Sequence, residues 1–588
     1  MSAKKAPAER AVRHEAPIAS GEGGSWGSDH LAQLVRSFGI PFICLNPGSS
    51  FRGLHDSIVN GLGNAEPQML VCLHEEHAVA IAHGYARVTG KPLAVALHAN
   101  VGLMHATMAI FNAWCDRVPM LILGGTGPLD AARRRPFIDW IHSTRDQASM
   151  IRSYVKWDDQ PTSLAAAEES MLRGMQMALT APKAPVYINI DSDIQEAPLA
   201  QQRPLPDFSR FRAMPDARPS ADLVKSAADL LKAARTPAIL MGRVSRSKAE
   251  WDQRVQLAEQ LGAVVATDLK VGAAFPTGHP LHAGAPGMSL TGDALARLRQ
   301  ADVVLSLDWA DLAGTLKTLW PDRSCPAKVI QVSLDHLLHN GSSFEYMALP
   351  EVDIAIQTTP EAFVPDLSAL LPAPSRDYAA KPRQRAATAA GDELALSDIA
   401  SALEMAVEGQ PVSLTRLPLG WDGALTDFSH PLDQLGHSGG GGVGSGPGMA
   451  VGAALALMGT DHLPVAILGD GDTLMGVTAI WTAVHYAIPM LVIAANNRSF
   501  FNDEVHQERV AKRRRRPVEN KWIGQRIDEP APDIALMAQA QGAVGFGPIR
   551  DESALRAAMK DAVAAVRNGR VAVLDVHIGA GYAGSGAS

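Results

Sequence analysis

The chain has 588 residues, 47% of them hydrophobic and 19% charged, with a formal net charge of −8. That balance describes a compact soluble protein of roughly three domains and argues against a general nucleic-acid binder. No apolar run is long enough to span a bilayer. Four separated cysteines (Cys44, Cys72, Cys115, Cys325) form no CxxC pair, which suits buried thiols in a reducing cytoplasm better than a zinc site or a disulfide frame.

In chain order, residues 1–27 are polar and rich in Ala, Glu, Gly and Ser. They lack the apolar centre of a secretory signal and are expected to form a disordered tail. Residues 28–196 alternate helix-like segments with strand-like runs at 41–45, 93–97, 120–123 and 186–190. A Pro-rich stretch, 197–219, reads as a linker. Residues 220–371 repeat the pattern, with short buried strands expected at 238–242, 264–269, 303–307 and 329–334. A second linker covers 372–392, a third α/β block covers 393–578, and residues 579–588 are mostly Gly, Ala and Ser and should fray. The expected fold class is α/β, with three doubly wound parallel-sheet domains.

The third block carries the strongest motif. An apolar run at 464–468 reads as a buried strand and ends in Gly469-Asp470-Gly471, where small residues let the backbone approach a phosphate. A helix-like segment follows at about 473–486, so its N-terminus can face an anion. A second apolar run, 490–495, then delivers Asn496-Asn497. The separation from Asp470 to Asn497 is 497 − 470 = 27 residues. Strand, turn, helix and strand bring both strand ends to one edge of a parallel sheet. Asp470 and Asn497 offer hard oxygen ligands suited to Mg²⁺ shared with a phosphate.

This pattern resembles the fingerprint of thiamine-diphosphate enzymes, in which a GDG triplet and a distant NN pair hold a divalent metal on the cofactor's diphosphate. Three α/β domains in this order are similar to the acetolactate synthase and benzoylformate decarboxylase group. The resemblance runs from about Ser28 to Ile578. It implies a first domain that binds the aminopyrimidine, a central domain, and a last domain that binds the diphosphate. It also implies Gly469, Asp470, Gly471, Asp472 and Asn497 at the cofactor, with the Ser499 carbonyl as third protein ligand to the metal. Asp472 stands where the family often has serine. A carboxylate beside a diphosphate is repelled, so its side chain is expected to turn away or be neutralised.

His74-Glu75-Glu76-His77-Ala78, followed by Gly84-Tyr85-Ala86-Arg87, resembles the family's cofactor-activating segment. The family's glutamate precedes that glycine by nine positions, and 84 − 9 = 75. Glu75 is the match and Glu76 the adjacent rival. The chemistry asks for a buried carboxyl on the pyrimidine N1′, so that the cofactor's own amino group can act as base. In the glycine run after His437, the resemblance implies the Gly441 carbonyl as acceptor for that amino group. Val443 would be the residue that bends the cofactor.

Asn46-Pro47-Gly48-Ser49-Ser50 and His98-Ala99-Asn100 resemble benzoylformate decarboxylases, which implies Ser49 and His98 at the substrate. A histidine there can donate or relay a proton; a strand-end cap and a turn serine are the structural alternatives. Gln147 either lines the pocket or packs. The middle domain departs from that family: residues 305–310 read Leu-Ser-Leu-Asp-Trp-Ala, with no histidine. This puts a two-histidine relay in doubt, with His74, His77 and His105 as the nearest substitutes. The run Lys512 to Arg516 is either a solvated mobile loop or a site for an anionic tail such as coenzyme A.

The implied enzyme is a thiamine-diphosphate- and Mg²⁺-dependent C–C lyase. It would decarboxylate a 2-oxo acid through an enamine and release an aldehyde. An acetolactate-synthase-like carboligase is the alternative, and a 2-hydroxyacyl-CoA lyase or oxalyl-CoA decarboxylase type a third. FAD has no readable signature in the middle domain. The expected partners are the small 2-oxo acid and a second copy of the chain, as a dimer or dimer of dimers with shared sites. No nucleic-acid or membrane partner is expected, and the expected location is cytoplasmic.

Overall fold

The computed structural model describes residues 12–18, 25–290, 292–321, 324–337, 348–379, 393–437 and 439–580. The rest of the N-terminal tail (1–11, 19–24), of the second linker (380–392) and of the C-terminal tail (581–588) lies outside the described residues.

Three parallel sheets form the framework. The first has the order Gln68–Val71, Phe42–Leu45, Ala94–Leu97, Met120–Thr126, Pro185–Asp191, Trp157–Asp159. The second runs Val264–Ala266, Pro237–Met241, Val303–Leu307, Lys328–Val332, Ile354–Ile356. The third runs Val412–Arg416, Leu463–Gly469, Leu491–Asn496, Ala572–His577, Val544–Ile549. Their inner strands are buried on both faces. That is why they read as unbroken apolar runs rather than as alternating ones.

The first and third domains share one core. Ala78 and Ile81 of the Glu75–Thr89 helix cluster with Val451, Ala483 and Tyr486. This helix packs against Gly446–Leu457 at very short range. A Cβ on Gly84 would stand 2.0 Å from the Met449 carbonyl oxygen, and one on Gly452 would stand 1.9 Å from that of Ile81. The glycine of the Gly84-Tyr85-Ala86-Arg87 segment is thus needed for helix contact, not for a turn. In the third sheet Gly469 stands opposite Ala495 in register. Asp470 and Asn497 therefore leave two adjacent strands at the same edge.

Two segments are better tied down than the sequence suggests. Ser25–Trp26 pairs antiparallel with Pro198–Leu199, inside the stretch expected as linker. Residues 12–18, expected to be a free tail, bridge the first and third domains. Arg13 N–H donates to the Tyr486 carbonyl at 3.0 Å. Glu15 meets His485 Nε2 at 2.9 Å and accepts from the Tyr486 hydroxyl at 3.1 Å. Composition did not show this because the contacts are single polar ones, to side chains and backbone alike, rather than an apolar face. The expected single helix at 473–486 is two, Asp470–Gly476 and Ala479–His485. A Cβ on Gly476 would stand 2.3 Å from the Gly444 carbonyl oxygen, so the chain turns where it meets the glycine loop. Among the described residues, no helix is long and apolar enough to cross a membrane.

Candidate active site

The third domain encloses a cavity of about 310 Å³. Gly441, Val443, Gly469, Asp470, Gly471, Asp472, Asn497 and Ser499 all line it. The helix after Gly469 begins at Asp470 itself. The Ser499 N–H donates to Asp470 Oδ2 at 2.9 Å and to Asn497 Oδ1 at 3.1 Å, so one donor gathers the two side chains. Ser499 faces Arg526 in an antiparallel bridge flanked by the bonds Ile527 N to Arg498 O and Phe500 N to Gln525 O. In that pattern the N–H and C=O of Ser499 both point away from Arg526, toward Asp470 and Asn497.

This donor set fits a divalent cation. Asp470 is buried and makes no ion pair among the described residues. Burial pushes its carboxyl up to about 6, against the N–H groups of Gly471 and Ser499. A hard cation there would supply the missing counter-charge.

Asp472 turns away from the cavity's centre to hold the glycine loop. Its Oδ1 accepts the N–H groups of Gly444 at 2.6 Å and Gly446 at 3.1 Å, and Arg416 Nε meets Oδ2 at 3.1 Å. Arg416 and Asp472 are both buried. Arg416 also lines the cavity. The sequence reading missed it, because nothing local marks an arginine at the end of a short strand. Gly441 sits in the loop with φ of 69°, and Val443 is 39% exposed at the rim.

The catalytic candidates of the first domain are elsewhere. Every residue that lines the cavity lies between Leu396 and Ile578, so Glu75, His98 and Ser49 of the same chain are not part of it. Glu75 opens the Glu75–Thr89 helix, with His74 as N-cap. Its side chain is buried, and Oε2 lies 3.0 Å from His105 Nδ1. Oε1 lies 3.2 Å from where a Cβ on Gly102 would stand. Glu76 faces the other way and accepts from the Ser445 hydroxyl at 3.0 Å, within the same chain. Burial raises its pKa. The two neighbouring glutamates are thereby distinguished: Glu76 braces the glycine loop, and Glu75 faces the cleft.

His98 lies at the end of Ala94–Leu97, against Gly48, where a Cβ would stand 2.2 Å from its own Cβ. Its partner is Ser50, not Ser49. Ser50 N–H donates to His98 Nδ1 at 3.3 Å, and Ser50 Oγ stands 3.0 Å from the same nitrogen. Ser50 Oγ also accepts the Ala99 N–H at 3.1 Å. A backbone N–H can only donate, so Nδ1 is the acceptor and the neutral ring carries its proton on Nε2. Ser49 is exposed one residue earlier. The next residue, Ala99, has φ of 45°, a left-handed conformation that costs alanine about 1–2 kcal/mol. Burial, then His142 and Arg135, lower the His98 pKa, while Glu75 opposes them.

Gln147 is fully buried and bonds to the Tyr187 hydroxyl at 2.7 Å and the Gly125 carbonyl at 3.2 Å, a packing role. His77 bonds Thr478 across the domain contact at 2.8 Å. His74 and His105 stack near Glu75, with ring centroids 4.9 Å apart. Asp308, on the middle-domain strand end that lacks a histidine, joins Arg117 at 2.8 Å and Arg243 at 3.4 Å. Burial works against its charge, but the two guanidinium groups hold its pKa below the usual range. Lys512 to Arg514 form the last turn of Phe501–Arg514 rather than a loop. They stand roughly 15–20 Å along that helix from its cavity-lining first residues.

Residues 25–150 match the thiamine pyrophosphate enzyme N-terminal TPP binding domain, 224–365 the central domain and 420–576 the C-terminal TPP binding domain. An acetolactate synthase large subunit of Haemophilus influenzae is 24% identical over 548 residues, covering 88% of this chain and 89% of the relative. A benzoylformate decarboxylase of Pseudomonas aeruginosa is 23% identical over 478 residues, covering 80% and 85%. The crystal structure of benzoylformate decarboxylase from Polynucleobacter necessarius superposes with a TM-score of 0.77 at 20% identity, covering 95% of this chain and 99% of that one.

Proposed function

The chain belongs to the thiamine pyrophosphate enzyme family, in its decarboxylase and acetolactate synthase group, and from that premise we propose that it decarboxylates a 2-oxo acid to an aldehyde. The observation that carries this reading is His98, held by Ser50 with a proton on Nε2, beside the buried Glu75. An imidazole N–H in the cleft can orient a water as proton source for the carbon that has lost CO₂, which favours release of an aldehyde over capture of a second carbonyl.

Asp470, Asn497 and the Ser499 carbonyl would hold the cofactor's diphosphate through Mg²⁺. When bound, thiamine diphosphate supplies a nucleophilic carbon and an electron sink for the pair left by departing CO₂. Asp472 and Arg416 keep the glycine loop in place at the cavity. Glu75 would offer its buried carboxyl to the cofactor's pyrimidine nitrogen. His98 Nε2–H donates to the substrate oxygen as negative charge develops there.

Because the cavity and the Glu75–His98 cleft are separate in one chain, the working site is assembled from two copies. Apolar side chains exposed at both rims support this reading: Leu73, Met104 and Trp140 near Glu75 and His98, and Leu419, Val443 and Met475 near the cavity. Large exposed apolar side chains at complementary edges mark an interface. The test is product analysis with Mg²⁺, thiamine diphosphate and a panel of 2-oxo acids that includes benzoylformate and pyruvate. An aldehyde as main product is expected. A 2-hydroxyketone or acetolactate would overturn the reading in favour of a carboligase.

A further inference from the structure

The first domain places a second imidazole at His98 that no sequence motif announces. The His142 ring stands edge-on to the His98 ring, with centroids 4.7 Å apart and planes at 74°. His142 follows the short helix Ile138–Ile141. That helix is anchored twice. Asn100, two residues after His98, donates from Nδ2 to the Ile141 carbonyl at 3.2 Å. Buried Asp139 accepts the Arg135 N–H at 2.7 Å and pairs with its guanidinium at 2.8 Å. The place of His142 is therefore fixed relative to His98.

We propose that His142 is a positioning residue for His98: its edge-on ring holds the His98 imidazole against Ser50, uncharged, with Nε2–H on the open side of the cleft. The inference rests on the 2-oxo-acid reading above, where that N–H is the donor to substrate. Ser50 N–H already opposes a second proton on Nδ1, since two N–H groups would then meet. The titratable and charged groups that act on His98 are His142, Arg135 from the loop before that short helix, and Glu75 from the Glu75–Thr89 helix. His105 and His74 stand behind Glu75. Only Glu75 favours a charged His98. Two imidazoles this close repel when both are cationic, so His142 adds to burial in disfavouring a charged His98.

The test uses the full-length protein, labelled with carbon-13 at histidine Cε1 and titrated by NMR without substrate. A His98→Ala variant identifies the His98 resonance. Its midpoint is expected below that of an ordinary histidine, and higher by about half to one pH unit in His142→Gln. An unmoved midpoint overturns the proposal. His142→Phe keeps a ring of similar shape without its charge, and should raise the midpoint as Gln does. The acid limb of kcat/KM, measured with a 2-oxo acid that turns over, should move up by the same amount, with kcat at pH 8 within about three-fold of native. A fall in kcat at every pH with a stationary limb would reduce His142 to packing and overturn the proposal. If no 2-oxo acid turns over, the functional reading falls, and the NMR titration alone decides the histidine pair.

Discussion

The cavity at Asp470 is lined by one continuous domain, from Leu396 to Ile578, and its key oxygens are gathered by a single backbone N–H. The cleft at Glu75 and His98 draws on segments around Ser50, Glu75, His98 and His142 and opens outward, with His105 59% exposed on its side chain. The first region is organised to bind. The second holds a buried carboxyl and an imidazole whose Nδ1 meets the Ser50 N–H, and neither lines the same chain's cavity. The contrast teaches that one fold can divide binding and catalytic side chains between two domains, which the helix contact at Gly84 and Gly452 joins; the two-copy site proposed above is what would bring them together.

The contrast breaks first at Glu75. Glu75→Gln should lower turnover by about 10²- to 10⁴-fold while leaving cofactor affinity near native; steady-state kinetics with calorimetric titration of thiamine diphosphate checks both halves. Asp470→Asn should do the reverse, weakening Mg²⁺-dependent cofactor binding by at least about 100-fold. Equal effects of the two substitutions on cofactor binding would erase the distinction.

Asp472→Asn sharpens the comparison from within the cavity. It leaves the buried Arg416 guanidinium without its counter-charge, and should cost about 3–5 kcal/mol of stability, read from urea unfolding. Asp472→Asn with Arg416→Leu should recover part of that loss. His77 supplies the smallest effect. Burial lowers its pKa from 6.5 to about 4, so the unfolded chain binds its proton first. The stabilisation is full above about 6.5 and is lost as pH falls toward about 4, on the order of 3 kcal/mol in all. Unfolding free energies between pH 7 and 4 should fall less steeply in a His77→Gln protein.

The cavity was legible in the sequence because its chemistry lies at the ends of two adjacent, fully buried strands. Gly469-Asp470-Gly471 and Asn497 stand in local order. Most strands that went unread sit at sheet edges: Gln68–Val71, Trp157–Asp159, Ile354–Ile356, Val412–Arg416 and Val544–Ile549; the inner strand Ala572–His577 went unread as well. Val544–Ile549 carries Gly545, Gly547 and Pro548, residues that argue against a strand unless it lies at an edge, as this one does. The cleft was less legible because its contacts cross the chain. Ser50 lies 48 residues from His98, and its hydrogen bonds separate it from Ser49, which sequence alone could not do. His142 reaches His98 from a loop with no motif of its own. Arg416 is tied to Asp472 across 56 residues.

The most direct test of a site shared between chains is complementation. Glu75→Gln and Asp470→Asn subunits, each inactive alone, are coexpressed and assayed together. In a mixed dimer one site carries both defects and the other carries neither. Random pairing should then restore about a quarter of native turnover. A mixture as inactive as either parent would contradict the account and return both residues to a single chain's site.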